Sequence, residues 1–164
     1  MLERDYLMNI LLQYAEILRR SWFKARREAD PRGAADMLES AVSQATDIDG
    51  ATLLSLAPES MAGILQVSGV DERVVGYIAR SLCLASAYLG EAGDGQLAAL
   101  RLQQARALAE AYGVDLPDSP EELAALADDS EGRCFQEGRE APLVDIAQAP
   151  SETVGPAFER PLRP

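Results

Sequence analysis

The chain reads as an all-α protein on three grounds. Seven polar residues near its start, Asp5, Asn9, Gln13, Glu16, Arg20, Lys24 and Arg27, recur at steps of three and four, which on an α-helix makes a single wet edge. Alanine and leucine, the best helix formers, are abundant, while aromatic residues make up only 5% of the chain. The breaks between periodic segments carry helix punctuation: Asp30-Pro31, Gly69 with Asp71, Gly113, and Ser119-Pro120-Glu121-Glu122.

The first helix is predicted over Glu3 to Ala29. Away from its polar edge it is apolar over roughly two thirds of the circumference, wider than the stripe of an ordinary surface helix. Such a helix is expected to be covered on two sides, by its own domain and by a second subunit. Asp30 as N-cap and Pro31 at N1 open a second helix to Thr46, with Ala34, Leu38, Ala41, Val42 and Ala45 on its inner side. The short link makes the two helices an antiparallel hairpin. Asp47-Ile48-Asp49-Gly50 is an Asx-type turn; a calcium loop would need an oxygen ligand at position 5 and a glycine at position 6, and both are missing.

A short helix follows over Thr52 to Leu56, and a second one from Pro58 is stopped by Gly69. Asp71 caps a long helix to Leu89 that has almost no polar face, which makes it the central buried element. Gly90 to Gly95 form a loop, and the next helix runs from Gln96 to Tyr112 with Gly113 at C′. The capping box at Ser119-Pro120-Glu121-Glu122 starts a last helix over Leu123 to Ala127. Periodicity ends after Asp129. Pro142, Pro150, Pro156, Pro161 and Pro164 with scattered charges make residues 130–164 an extended or disordered tail behind a helical-hairpin domain of residues 1–129.

The two hairpins repeat one another. Shifting the sequence by 64 residues lays Ala15 on Ala79, Leu18 on Leu82, Ala34-Ala35 on Ala98-Ala99, Leu38 on Leu102, Ala41 on Ala105 and Ala45 on Ala109. Small residues at these spacings let helix backbones approach, and leucine fills the gap between them. The order resembles the tetratricopeptide repeat, with Ala85, Tyr88, Ala98, Leu102 and Ala105 near its signature positions. The expected Trp-Leu-Gly opening is missing. The opening Asp5-Tyr6-Leu7-Met8-Asn9-Ile10, with Leu53-Leu54-Ser55-Leu56-Ala57-Pro58-Glu59, is similar to a small uncharacterised bacterial family of tetratricopeptide-like proteins. That resemblance covers roughly residues 1–112. It implies an all-helical fold and no known activity, so no functional residue can be carried over, and the proline-rich tail is not part of its pattern.

Composition narrows the chemistry. The chain of 164 residues has no histidine, which removes imidazole acid–base catalysis, histidine triads and His-ligated zinc. Cys83 and Cys134 lack metal-ligand spacing, and Cys83 between Leu82 and Leu84 reads as a buried, inert thiol. No nucleophile has a visible base, and Gly90 to Gly95 follow a helix rather than the strand a phosphate loop needs. The protein is therefore expected to be non-enzymatic, without cofactor or metal. Acids at Glu3 and Asp5, no basic leader and no apolar run of membrane-spanning length point to a cytoplasmic protein.

The net charge of −12 is uneven: seven basic and five acidic residues up to Gly33, eight basic and 22 acidic beyond it. An acidic body repels phosphate-rich partners, so nucleic acid is disfavoured. The exception is the basic end of the first helix. Arg20, Phe23, Lys24 and Arg27 there form the candidate partner-binding set, with Phe23 an exposed ring on the polar edge. The same cations also suit the negative end of the helix dipole, and Glu16–Arg20 and Lys24–Glu28 have pairing spacing. Leu7, Leu11, Leu18 and Trp22 are the candidate dimer contact. The expected function is a protein–protein interaction or scaffold module, a homodimer whose hairpins take a peptide or partner helix, with the tail able to occupy that surface. The alternative is anion or nucleic-acid binding through the basic helix end.

Overall fold

The computed structural model describes residues 2–119 and 122. They form α1 (Leu2–Arg27), α2 (Pro31–Ala45), α3 (Gly50–Ser55), α4 (Pro58–Ser68), α5 (Glu72–Glu91) and α6 (Gly95–Tyr112), with no strand among the described residues. The predicted last helix over Leu123 to Ala127, the tail and Cys134 lie outside the described residues. The capping box is present at its described ends. Glu122 donates its N–H to Ser119 Oγ at 3.2 Å, while its carboxylate accepts from the Asp118 N–H at 3.2 Å.

Carboxylate caps set most of the helix starts. Asp30 accepts from the Gly33 N–H, Asp49 from Thr52, Asp71 from Arg73 and Asp94 from Leu97. Each satisfies one of the orphan donors of a first turn. Asp49 also accepts from the Thr52 hydroxyl at 2.7 Å, so the Asp47–Gly50 turn holds its carboxylate for the helix.

Three boundaries differ from expectation by two residues, and the first is α3, which begins at Gly50 rather than Thr52 because Asp49 is its cap. Helix α5 runs through Gly90 to Glu91 and shortens the predicted loop. Gly93, at φ 88°, closes the turn and lets the Asp94 N–H reach Leu89 O at 2.9 Å. Helix α1 stops at Arg27, not Ala29, because Ala29 adopts φ 54° and turns the Asp30 N–H back to Lys24 O at 3.2 Å. Ala29 is thus the only non-glycine with positive φ among the described residues.

The 64-residue offset holds in three dimensions. Asp30 and Asp94 are both caps, Arg27 and Glu91 both end their helices, and Ala29 and Gly93 both turn left-handed. Ala15 and Ala79, Leu18 and Leu82, Ala34 and Ala98, and Ala41 and Ala105 are buried pairwise. Leu38 is fully buried but Leu102 only half so, because α6 has no further hairpin stacked on it among the described residues. The two hairpin turns meet at one end, where Arg26 Nη1 on α1 donates to both Glu91 carboxylate oxygens and Arg32 on α2 reaches Asp94 at 3.0 Å.

Helix α5 is the centre, with twelve of its twenty residues buried. It packs against α1, α2 and α6, while α4 covers α6 and α3 abuts α2. One core cluster joins Val75, Ile78 and Leu82 to Leu53, Met61 and Leu108; a second, nearer the hairpin turns, joins Leu84, Tyr88 and Leu89 to Leu18 and Leu38. Ile17 and Tyr77 touch both. Each fully buried aliphatic contributes roughly 1.5–3 kcal/mol by leaving water. Tyr14 anchors α1 across this core: its hydroxyl donates to Ala41 O at 2.9 Å and its ring stacks on Tyr77 at 5.8 Å. Cys83 is half-buried rather than fully so, and burial pushes its thiol above the ordinary range.

A polar knot interrupts the apolar interior. Arg101 on α6, 5% exposed, donates to Glu39 of α2 at 2.7 Å and to Leu54 O at 2.7 Å. Gln104, fully buried, donates to Leu54 O and Leu56 O. The carbonyls that end α3 are satisfied by side chains of another helix.

The expected cover of α1 by its own domain extends to one face. Its buried residues are Tyr14, Ala15, Leu18, Ser21 and Ala25, one face only. Its neighbours among the described residues lie on that face, so Tyr6 (69% exposed), Met8 (46%), Leu12 (42%) and Phe23 (52%) face outward.

Two substitutions test this account. Ala29→Gly should stabilise the fold by about 0.5–1 kcal/mol, the cost of a Cβ at positive φ less glycine's greater unfolded entropy. Arg101→Ala should cost about 3 kcal/mol, because it leaves the Glu39 charge and Gln104 Oε1 without their partner. Urea denaturation followed by circular dichroism measures both; a neutral Arg101→Ala would show that the knot carries no stability.

Candidate functional site

The basic end of α1 comes together with α2 as a groove of about 430 Å³ lined by Arg19, Arg20, Phe23, Lys24, Glu28 and Met37. The helix places these residues by register. Arg20, Phe23, Lys24 and Arg27 succeed one another at helical spacing on the outer side of α1, opposite the buried Ser21 and Ala25. The antiparallel return of α2 then brings half-buried Met37 beside Phe23. The floor is apolar and the rim cationic.

Every cation on that rim has a local carboxylate. Glu16 accepts from Arg19 at 2.6 Å and from Arg20 at 2.8 Å, and these guanidiniums, Arg19 first, hold its carboxyl below the usual range. Lys24 lies 3.2 Å from both Glu28 and Asp30, which raise its pKa. Gly33 makes room for this, since a Cβ there would collide with Lys24 Cε and the Asp30 carboxylate. The Asp30 carboxyl is lowered first by the Gly33 N–H and then by Lys24. The predicted Glu16–Arg20 and Lys24–Glu28 pairs are both present, and as surface pairs they are worth little individually.

Three of the four predicted partner-binding residues therefore share one groove. Arg27 is exposed but does not line it. Sequence reading missed Met37, whose signal was a long apolar side chain just off the inner stripe of α2. Of the predicted dimer residues, Leu18 is 3% exposed and packs in the chain's own core, so it has no surface to offer a partner. Leu7, Leu11 and Trp22 are half-buried. The Trp22 Nε1 is buried with no hydrogen-bond partner among the described residues.

A second cleft, between α2, α3 and α6, is floored by the Arg101–Glu39 pair and bordered by Ser43, Leu54 and Leu97. Among the described residues, no group of three or more Cys, Asp or Glu side chains is placed to hold a metal ion. No described helix is long and apolar enough to cross a membrane. No protein-family model, curated protein or solved structure matches the chain.

The pairing of Glu16 with two arginines has a testable consequence. Its lowered pKa means that the stability it contributes is full above about pH 4.3, the ordinary unfolded value, and is lost as pH falls through the depressed one. Glu16→Gln takes the Glu16 carboxylate away from both guanidiniums at neutral pH. The variant should be retained longer than wild type on a heparin column at low salt. Equal retention would mean that the two arginines are not held by this carboxylate in solution.

Proposed function

We propose that this chain is a non-catalytic protein–protein interaction module, built of tetratricopeptide-like hairpins and working as a homodimer. The observation that carries the reading is the distribution of exposed large hydrophobic residues: of the six among the described residues, Tyr6, Met8, Leu12 and Phe23 lie on α1. Apolar side chains gathered on one element of an otherwise acidic surface mark an interaction face. The N-terminal half, with Met8, Leu12 and half-buried Leu11, supplies the self-association face. The buried, unpartnered Trp22 N–H supports a further contact on the same flank, because leaving it unpaired costs roughly 1–3 kcal/mol. The groove at Phe23 and Met37 is the docking site for a peptide or partner helix.

The hairpin arrangement supports the tetratricopeptide-like reading through its exact 64-residue register at both turns. The anion-binding alternative is weakened by the local carboxylates on Arg20 and Lys24. Composition supports a cytoplasmic, non-enzymatic role for a chain with no histidine.

Sedimentation velocity at micromolar concentration should report a dimer for the wild type. Met8→Glu with Leu12→Glu should convert it to a monomer without loss of helix content, since both side chains are exposed within the single chain. A monomeric wild type would refute the self-association reading.

A further inference from the structure

We infer that the cleft between α2, α3 and α6 binds a primary carboxamide on an aliphatic stem, the chemistry of glutamine, with Arg101 and Glu39 holding the amide. The site is separate from the Phe23–Met37 groove and does not depend on the interaction module proposed above.

The cleft, of about 530 Å³, sets Asp36, Glu39 and Ser40 of α2 against Leu97, Leu100 and Arg101 of α6. Its volume is that of a small-ligand site. Arg101 lines it although only 5% exposed, so a buried charge sits at its floor. The Arg101–Glu39 pair is a single bond, Nε to Oε1 at 2.7 Å. Nη1 is engaged with Leu54 O and Gln104 Oε1. Nη2 shares the Nε edge of the guanidinium, and in a two-bond fork it would donate to Oε2. Among the described residues, Nη2 and Oε2 take part in no hydrogen bond. Neither is among the fully buried atoms that lack a partner, so both keep contact with solvent through the cleft they line. The pair thus offers one donor and one acceptor, each two bonds from the Nε–Oε1 contact.

A group that satisfies both must carry an acceptor and a donor on one edge. A primary carboxamide does, because its oxygen and one N–H point the same way. A trans peptide group does not, because its C=O and N–H point in opposite directions. An ammonium would meet the Arg101 charge, and a carboxylate would meet the charges of Glu39 and Asp36. A pair of sugar hydroxyls has the right polarity, but no aromatic side chain is among the described lining residues to stack on a sugar ring. Half-buried Leu97 and Leu100 form the wall on which the methylenes of the stem leave water.

Nitrogen-15 spectra of the full-length chain test this. The Arg101 Nε–H, held by Glu39, reports the cleft, and the indole N–H of Trp22, the one tryptophan, reports α1. L-Glutamine should move the Arg101 signal saturably and leave Trp22 in place. L-Glutamate, of the same shape with a carboxylate for the amide, should bind at least about tenfold more weakly. Glu39→Gln keeps an oxygen for Arg101 Nε and puts N–H donors where Oε2 stood, so glutamate should then bind more tightly than glutamine. Ser40→Phe, at an exposed position, puts a ring into the cleft and should abolish the glutamine response with helix content kept. That variant carries the test if Glu39→Gln does not fold. A pentapeptide with glutamine between pairs of glycines separates the sources. Tighter binding of free glutamine makes the ligand an amino acid, tighter binding of the peptide makes it a residue of a partner chain, and both support the inference. An Arg101 signal unmoved by either ligand, or moved equally by glutamate, overturns it. An equal response to glycerol also overturns it, in favour of a hydroxyl site.

Discussion

Twelve buried residues in a twenty-residue helix leave α5 almost no side that water can reach, so it can exist only within a sheath of other helices. That requirement orders the rest of the molecule. Helix α2 and helix α6 meet it on two sides and α1 on part of a third. Because the facing residues on α2 and α6 are mostly alanines, Ala34, Ala41, Ala98 and Ala105, the backbones approach closely and the large side chains of α5 fill the seams. Surface helices contribute one stripe to such an interior; α5 contributes nearly its whole circumference.

The buried ion pair in that interior is expensive and specific. Burying Arg101 with Glu39 removes two charges from water, and their attraction offsets this only with further hydrogen bonds in place. Gln104 and the carbonyls of Leu54 and Leu56 supply them. The arrangement ties the end of α3, a helix too short to hold itself, to α2 and α6. An apolar core would pack α3 in several registers with similar energy. Directional bonds to two particular carbonyls select one.

The same contrast between greasy and directional contacts appears on α1. Its inner face is bound by packing and by Tyr14, while its outer face combines exposed rings with cations balanced by their own carboxylates. A rim balanced in this way does not attract polyanions at long range.

Much of the architecture was legible along the chain because it rests on local rules. Aspartates before α2, α3, α5 and α6, Pro31 and Pro58 at N1, and glycines at positions 69 and 113 punctuate the helices through contacts within four residues, and such contacts are written in sequence order. The exposed ring of Phe23 was legible for the same reason, since its place on the polar edge of α1 follows from spacing alone. Ala29 was not, because an alanine carries no mark of the left-handed conformation that the turn imposes on it. Tertiary packing decided the rest. It made α1 an edge helix rather than a sheathed one, consumed Leu18 in the chain's own core, set Met37 beside Phe23, and drew Arg101 from one hairpin to Glu39 of the other. Periodicity tells which residues share a face; only the arrangement of all the helices determines what, if anything, that face meets.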